Sequence, residues 1–222
     1  METLGLRAVL FDLDGTLLDS LSSQYAVFTR VFDTLGMRFD EAAYRAHYSP
    51  NWYLLYQRMG VPKDLWAEAD RLWLEHYTHE APRAMAGAEE VIAAARSGGR
   101  AVGLVTSGDR SRVERDLARV GWAEAFDVVV CGGDLAERKP RPGPLLHALE
   151  RVATPPGEGA YVGDTVDDVA MGKAAGTLTV GVATGFSRWE ALADAAPVFL
   201  CRSLADVVPL LLRHPDSSGQ RP

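Results

Sequence analysis

Six short apolar runs constrain the fold of this chain more than any other feature: residues 8–11, 101–105, 128–131, 160–163, 178–182 and 198–200. Most are rich in valine and show no alternation of apolar with polar residues, the pattern of strands covered on both faces. From residue 101 onward the runs alternate with helical patterns such as Val113, Leu117 and Val120, which lie four and three residues apart on one helix face. Strand and helix in alternation predict an α/β protein with a doubly wound parallel sheet.

Residues 20–82 break that alternation, because they carry only helical periodicity between the first strand and the second. The stretch holds six of the seven tyrosines (Tyr25, Tyr44, Tyr48, Tyr53, Tyr56 and Tyr77) and three of the five tryptophans (Trp52, Trp66 and Trp73). A small helical bundle needs such large side chains to fill its core. Turn signals at Gly36, Ser49-Pro50, Gly60-Val61-Pro62 and Ala81-Pro82 divide it into three or four helices. The expected organisation is a core made of residues 1–19 and 83–213, a helical insertion at 20–82, and a polar, flexible tail at 214–222.

The balance of 23 basic against 30 acidic residues leaves a net charge of -7, which disfavours nucleic acid as a partner. The first residues resemble no secretory leader, and no run of about 18 apolar residues could span a bilayer. A cytoplasmic protein, monomer or homodimer, without membrane partners is expected. The two cysteines, Cys131 and Cys201, close apolar runs and read as buried thiols.

Ligands of open parallel sheets bind beyond the carboxyl ends of the strands. Asp12 and Asp14 follow the first run, Thr106 and Ser107 the second, Lys139 the third, and Asp164 with Asp168 the fourth. An ionised carboxylate directly after four apolar residues, as at Asp12, requires a cation or several donors to compensate its burial. Carboxylate and carbonyl oxygens suit magnesium better than zinc, so Asp12, Asp14, Asp164 and Asp168 are candidate metal ligands. A helix beginning at Asp164 or Thr165 would put Asp164 and Asp168 on one face, although carboxylates in a first turn also serve as caps. Thr106, Ser107 and Gly108 can offer hydroxyls and backbone amides to phosphoryl oxygens, and Lys139 a compact positive charge between two prolines. In the insertion, Arg45, His47, Tyr48 and Asn51 surround the turn at Ser49-Pro50, and Arg45 and His47 are candidate substrate contacts. His76 and His79 read as a solvated face rather than a metal pair.

The string Asp12-Leu13-Asp14-Gly15-Thr16-Leu17-Leu18-Asp19-Ser20 resembles the first motif of the haloacid dehalogenase superfamily. Thr106 matches its second motif, Lys139-Pro140 its third, and Gly163-Asp164 with Asp168 its fourth. The resemblance implies a Rossmann-like core with a helical cap, and Mg2+-dependent chemistry on a small phosphorylated metabolite. Asp12 would be the nucleophile and Asp14 the acid and base, with Thr106 and Lys139 neutralising phosphoryl charge. Dehalogenase and phosphonate-cleaving members lack an acid at the position of Asp14, so phosphate esters or anhydrides are the expected substrates. The chain looks most like the phosphoglycolate phosphatase branch; a sugar phosphomutase and an inorganic pyrophosphatase are the alternatives on the same scaffold. A phospho-accepting receiver domain uses similar residues, but would not need the insertion of about 60 residues.

Overall fold

The computed structural model describes residues 5–212, so the expected tail at 214–222 lies outside the described residues. In chain order the elements begin with β1 (Ala8–Phe11), β2 (Leu18–Asp19), α1 (Leu21–Thr34), α2 (Glu41–His47), α3 (Trp52–Arg58), α4 (Trp66–Tyr77) and β3 (Arg83–Ala84). There follow α5 (Ala88–Ser97), β4 (Ala101–Asp109), α6 (Arg110–Arg119), β5 (Val128–Gly132), α7 (Gly143–Arg151) and β6 (Gly159–Gly163). The chain continues through α8 (Val166–Ala175), β7 (Leu178–Val182), α9 (Trp189–Asp194), β8 (Phe199–Cys201) and α10 (Leu204–Leu211).

All six apolar runs form strands, and they make one sheet in the order β5-β4-β1-β6-β7-β8 with every neighbouring pair parallel. The last strand lies one residue later than its apolar run, and β4 is longer than expected. Its extension arises because Asp109 still pairs with Gly132 across an irregularity that follows Val105. Such a bulge re-aims side chains next to a functional edge, and Thr106, Ser107 and Gly108 fall within it.

Successive side chains of β1 enter opposite cores, as the period of two in a strand demands. Val9 and Phe11 pack with Val91 and Ala95 of α5, Val113 of α6 and Leu204 of α10. Ala8 and Leu10 pack with Leu145 and Leu149 of α7 and Met171 of α8. A sheet covered on both faces explains why its strands show no polar alternation.

Four helices, α1 to α4, occupy the insertion and close around a third core of Val27, Phe28, Phe32, Tyr44, Tyr56 and Trp73. The chain enters and leaves it through β2 and β3, which pair antiparallel, Leu18 with Ala84 and Asp19 with Arg83. Two residues are too few for any periodicity, so this clasp was invisible in the sequence. Both cysteines are buried and free, as expected. No helix among the described residues is long and apolar enough to cross a membrane.

Candidate active site

Strand register builds the site. Phe11 lies abreast of Leu104 in β4 and of Val162 in β6, so the residues that follow in the three strands reach one edge at nearly the same level. Asp12, Thr106 and Asp164 therefore emerge together, beside the switch point between β1, from which the sheet continues to β4 on one side, and β6, from which it continues to β7 on the other. Asp12, Asp14, Thr106, Lys139, Asp164 and Asp168 are all buried.

Lys139 ties the group together, its Nζ lying 2.5 Å from Asp12 Oδ1 and 2.7 Å from Asp168 Oδ1. Burial alone would lower the lysine's pKa, but the two carboxylates outweigh it and hold the ammonium charged. On the protein's own groups, burial pushes the Asp12 carboxyl up to about 7, with Lys139 opposing and Asp168 adding to the rise. Burial and the charges of Asp12 and Asp168 likewise hold Asp164 well above the usual carboxylate range. Carboxylates that resist ionising side by side are suited to a dication.

Ligand oxygens of Asp12, Asp164 and Asp168 lie within 4.8 Å of one another, and they form the metal-competent cluster found among the described residues. The three are not equivalent. Asp168 Oδ1 is engaged by Lys139 and lies 3.2 Å from the Tyr161 hydroxyl, while its Oδ2 accepts from the Thr165 amide and hydroxyl. With two bonds on each oxygen, Asp168 orients Lys139 and caps α8, whereas Asp164 accepts one bond on each oxygen and Asp12 only that of Lys139, which leaves these two better placed as direct ligands. The helix itself corrects the sequence expectation: α8 begins at Val166 with Thr165 as its cap, so Asp164 precedes the helix. The two carboxylates meet because the strand end turns back, not through helical spacing. Asp167 points to the cap, where the Ser49 hydroxyl donates to it at 2.7 Å.

Asp164 is held by the Thr16 hydroxyl at 2.9 Å and by the Phe186 amide at 2.6 Å. Gly15 has φ +80, and a Cβ there would lie 2.6 Å from Asp164 Oδ2, so only glycine fits. Thr184 donates its hydroxyl to the Gly15 carbonyl at 2.7 Å. The loop from Thr184 to Phe186 thus belongs to the site and was missed, since it follows a strand without a titratable residue. Phe186 also stacks on Tyr48 of the cap at 3.8 Å, nearly parallel.

Asp14 is gripped by Arg112, Nη1 to Oδ1 at 3.0 Å and Nη2 to Oδ2 at 2.6 Å. Burial works to raise the Asp14 carboxyl, but the guanidinium, helped by Ser20 and Gln24, prevails and lowers it. Arg112 was also missed. A signal existed in Gly108 and Asp116, four residues to either side of it, but nothing local marks such an arginine as buried.

The pocket beside Asp12 is lined by Asp14, Gln24, Tyr48, Pro50, Trp52, Thr106, Ser107, Gly108 and Arg112, and encloses about 10 Å³, scarcely one water. A wider cleft of about 220 Å³ adjoins it, sharing Pro50, Trp52 and Ser107 and bounded further by Tyr53, Asp70 and Arg138. Ser107 and Gly108 therefore stand where expected. Arg45 and His47 do not line either space. Arg45 pairs with Glu41 one turn earlier on an exposed face, 2.8 Å apart, and the His47 carbonyl accepts from Arg58. The turn at Ser49-Pro50 does reach the site, but through Tyr48, Pro50 and Trp52.

A parallel sheet with a helical insertion, and a buried carboxylate cluster joined by a lysine at its carboxyl edge, define a class. The chain belongs to the haloacid dehalogenase-like hydrolase family, whose model matches residues 9–182. It is 30% identical to phosphoglycolate phosphatase of Escherichia coli, over 97% of each chain. It is 28% identical to the Nitrosococcus oceani phosphoglycolate phosphatase, over 91% of this chain and 95% of that one. In fold it resembles CbbY from Rhodobacter sphaeroides, crystallised with phosphate, at a TM-score of 0.78 and 24% identity over 91% of this chain and 96% of that one. It also resembles β-phosphoglucomutase of Clostridium difficile, at a TM-score of 0.75 and 16% identity over 91% and 93%.

Proposed function

We propose that this chain is a magnesium-dependent phosphatase of a small phosphorylated metabolite, acting through an aspartyl-phosphate on Asp12. The observation that carries the reading is Asp12 itself, buried at the end of β1 against Lys139, with Asp14 lining the same pocket. An Asp12 oxygen attacks phosphorus as the ester P–O bond breaks, and Asp14, which Arg112 holds ionised in the protein alone and which takes up a proton as the phosphate dianion binds beside it, passes that proton to the departing oxygen. Asp14 then takes a proton from water, which attacks phosphorus, frees phosphate and restores Asp12. Lys139 and the hydroxyls of Thr106 and Ser107 neutralise charge on the phosphoryl oxygens. Asp12, the Asp14 backbone carbonyl and Asp164 would hold magnesium, which would add to that charge neutralisation.

Tyr48, Pro50 and Trp52 of the cap face Asp12, Asp14 and Thr106 across this narrow pocket, so opening of the cap would admit substrate and its closing would exclude water. The core is residues 1–19 and 83–213 and the cap is 20–82, with the cytoplasm as the site of action. Phosphoglycolate is the first substrate to try, on the strength of the 30% identical relatives. The cleft of about 220 Å³ favours one second reading, a sugar phosphomutase, in which a bound sugar phosphate rather than water receives the phosphoryl group.

The test is hydrolysis of p-nitrophenyl phosphate with and without magnesium, followed by a screen of phosphoglycolate, pyrophosphate and sugar phosphates. Turnover should vanish with a chelator and in Asp12→Asn, whose circular dichroism should match the parent. Undiminished hydrolysis by Asp12→Asn sinks the nucleophile assignment. Isomerised sugar phosphate in place of free phosphate decides for the mutase.

A further inference from the structure

The seam between α6 of the core and α4 of the cap contains a buried arginine that the phosphatase chemistry has not yet used. Arg112 sits in the first turn of α6 with its side chain 1% exposed. Its guanidinium makes two parallel bonds to Asp14, at 3.0 and 2.6 Å, and reaches Asp116 at 3.4 Å. Its Cζ lies 5.3 Å from the Tyr77 ring and 6.0 Å from the Trp73 ring, both on α4. The fit depends on Gly108, because a Cβ there would overlap Arg112 Nη2.

A guanidinium fork fixes the plane of the carboxylate it holds, which a lysine's single point charge does not. The grip takes one lone pair on each Asp14 oxygen and so fixes the direction in which the carboxylate can still meet the leaving oxygen or water. The rings of Tyr77 and Trp73 pack the guanidinium from the cap side, so its position depends on how α4 is seated.

We propose that Arg112 is the positioning residue for Asp14: it sets the orientation of the acid's carboxylate toward Asp12 and makes that orientation depend on cap closure through Tyr77 and Trp73. The inference rests on the phosphatase reading and deepens it. A residue that only stabilises the fold would slow all substrates alike. A residue that aims the acid matters most where the leaving oxygen needs a proton.

The experiment compares kcat/KM for phenyl, p-nitrophenyl and 2,4-dinitrophenyl phosphate, whose leaving groups need a proton progressively less. A placed general acid is worth about 100- to 10,000-fold, so Arg112→Gln should lose about 10- to 100-fold on phenyl phosphate and less than about threefold on the dinitrophenyl ester. Arg112→Lys keeps the charge opposite Asp14 without the fork; it should fold if Arg112→Gln does not, and should still steepen the dependence on leaving group. In Asp14→Asn the same change at Arg112 should add no further steepening. Equal losses across the three esters, or no loss, overturn the positioning role while leaving the phosphatase intact. Absence of magnesium-dependent turnover in the parent protein overturns the phosphatase reading, and this inference with it.

Discussion

At the carboxyl edge of the sheet the buried side chains are charged, and each is held by directed bonds: Lys139 to Asp12 and Asp168, Arg112 to Asp14, Thr16 and Phe186 to Asp164. The cap core is instead built of uncharged side chains in which rings cluster, with Phe28 in contact with Phe39, Tyr44, Trp52 and Trp73, and Phe39 with Tyr44. The difference extends to what is left unsatisfied. Of the buried side-chain polar atoms without partners among the described residues, Gln24 Oε1, the Tyr44 and Tyr77 hydroxyls, Trp73 Nε1 and His76 Nε2 lie in the cap, and Arg112 Nε, Arg115 Nε and Asp116 Oδ1 lie on α6 at the seam. Charges taken from water must be paired in defined geometry or their burial is severely destabilising. Rings tolerate many arrangements at similar energy. The edge is therefore suited to a fixed reaction, and the cap to motion and to changes in what it admits.

The comparison breaks first at Lys139. Lys139→Met should lower kcat by about 100- to 1,000-fold, since one preorganised cationic contact to the phosphoryl group disappears, and should also lower Tm, since Asp12 and Asp168 lose their cation. A loss below about threefold, measured by initial rates, would show that the edge does not depend on its directed bonds.

The same edge should respond to pH through its metal. Burial raises the Asp12 carboxyl to about 7, above its unfolded value, so the folded state binds that proton more tightly. The associated stability is complete below the unfolded pKa and is lost as pH rises through about 7. Magnesium competes with that proton, so its binding should strengthen over the same interval. Melting curves should show a larger magnesium-induced rise in Tm at pH 8 than at pH 6. An increment independent of pH argues against Asp12 as a ligand.

For the cap the expected effects are smaller and of another kind. Tyr48→Leu removes the 3.8 Å stack on Phe186 and should cost about 0.5–1.5 kcal/mol of cap docking. That corresponds to about a two- to tenfold rise in KM with kcat nearly unchanged. A fall in kcat equal to that of Lys139→Met would erase the distinction between the regions. Smallest of all, Arg45→Ala should alter KM by less than about twofold, since the exposed Arg45–Glu41 pair lies outside the site. A tenfold change would restore Arg45 as a substrate contact.

The strands, the helical insertion and the catalytic string at Asp12 were legible because their signals are local. An apolar run declares a buried strand, and a parallel sheet necessarily brings the residues after its central strands to one edge. Thr106, Lys139 and Asp164 could thus be grouped with Asp12 without coordinates. The Asp14–Arg112 pair spans 98 residues and the Thr16–Asp164 bond 148, and a single sequence carries no mark of either. Local reading also misplaced the start of α8, and of the residues it named around the Ser49-Pro50 turn, packing brings Tyr48 to the pocket beside Asp12, together with Trp52, and leaves Arg45 and His47 off its lining. The sequence by itself determined which polar groups stand together at the sheet edge, because strand ends put them there. Only the tertiary structure decided what aims them and what shields them, because burial and long-range pairing are properties of packed elements.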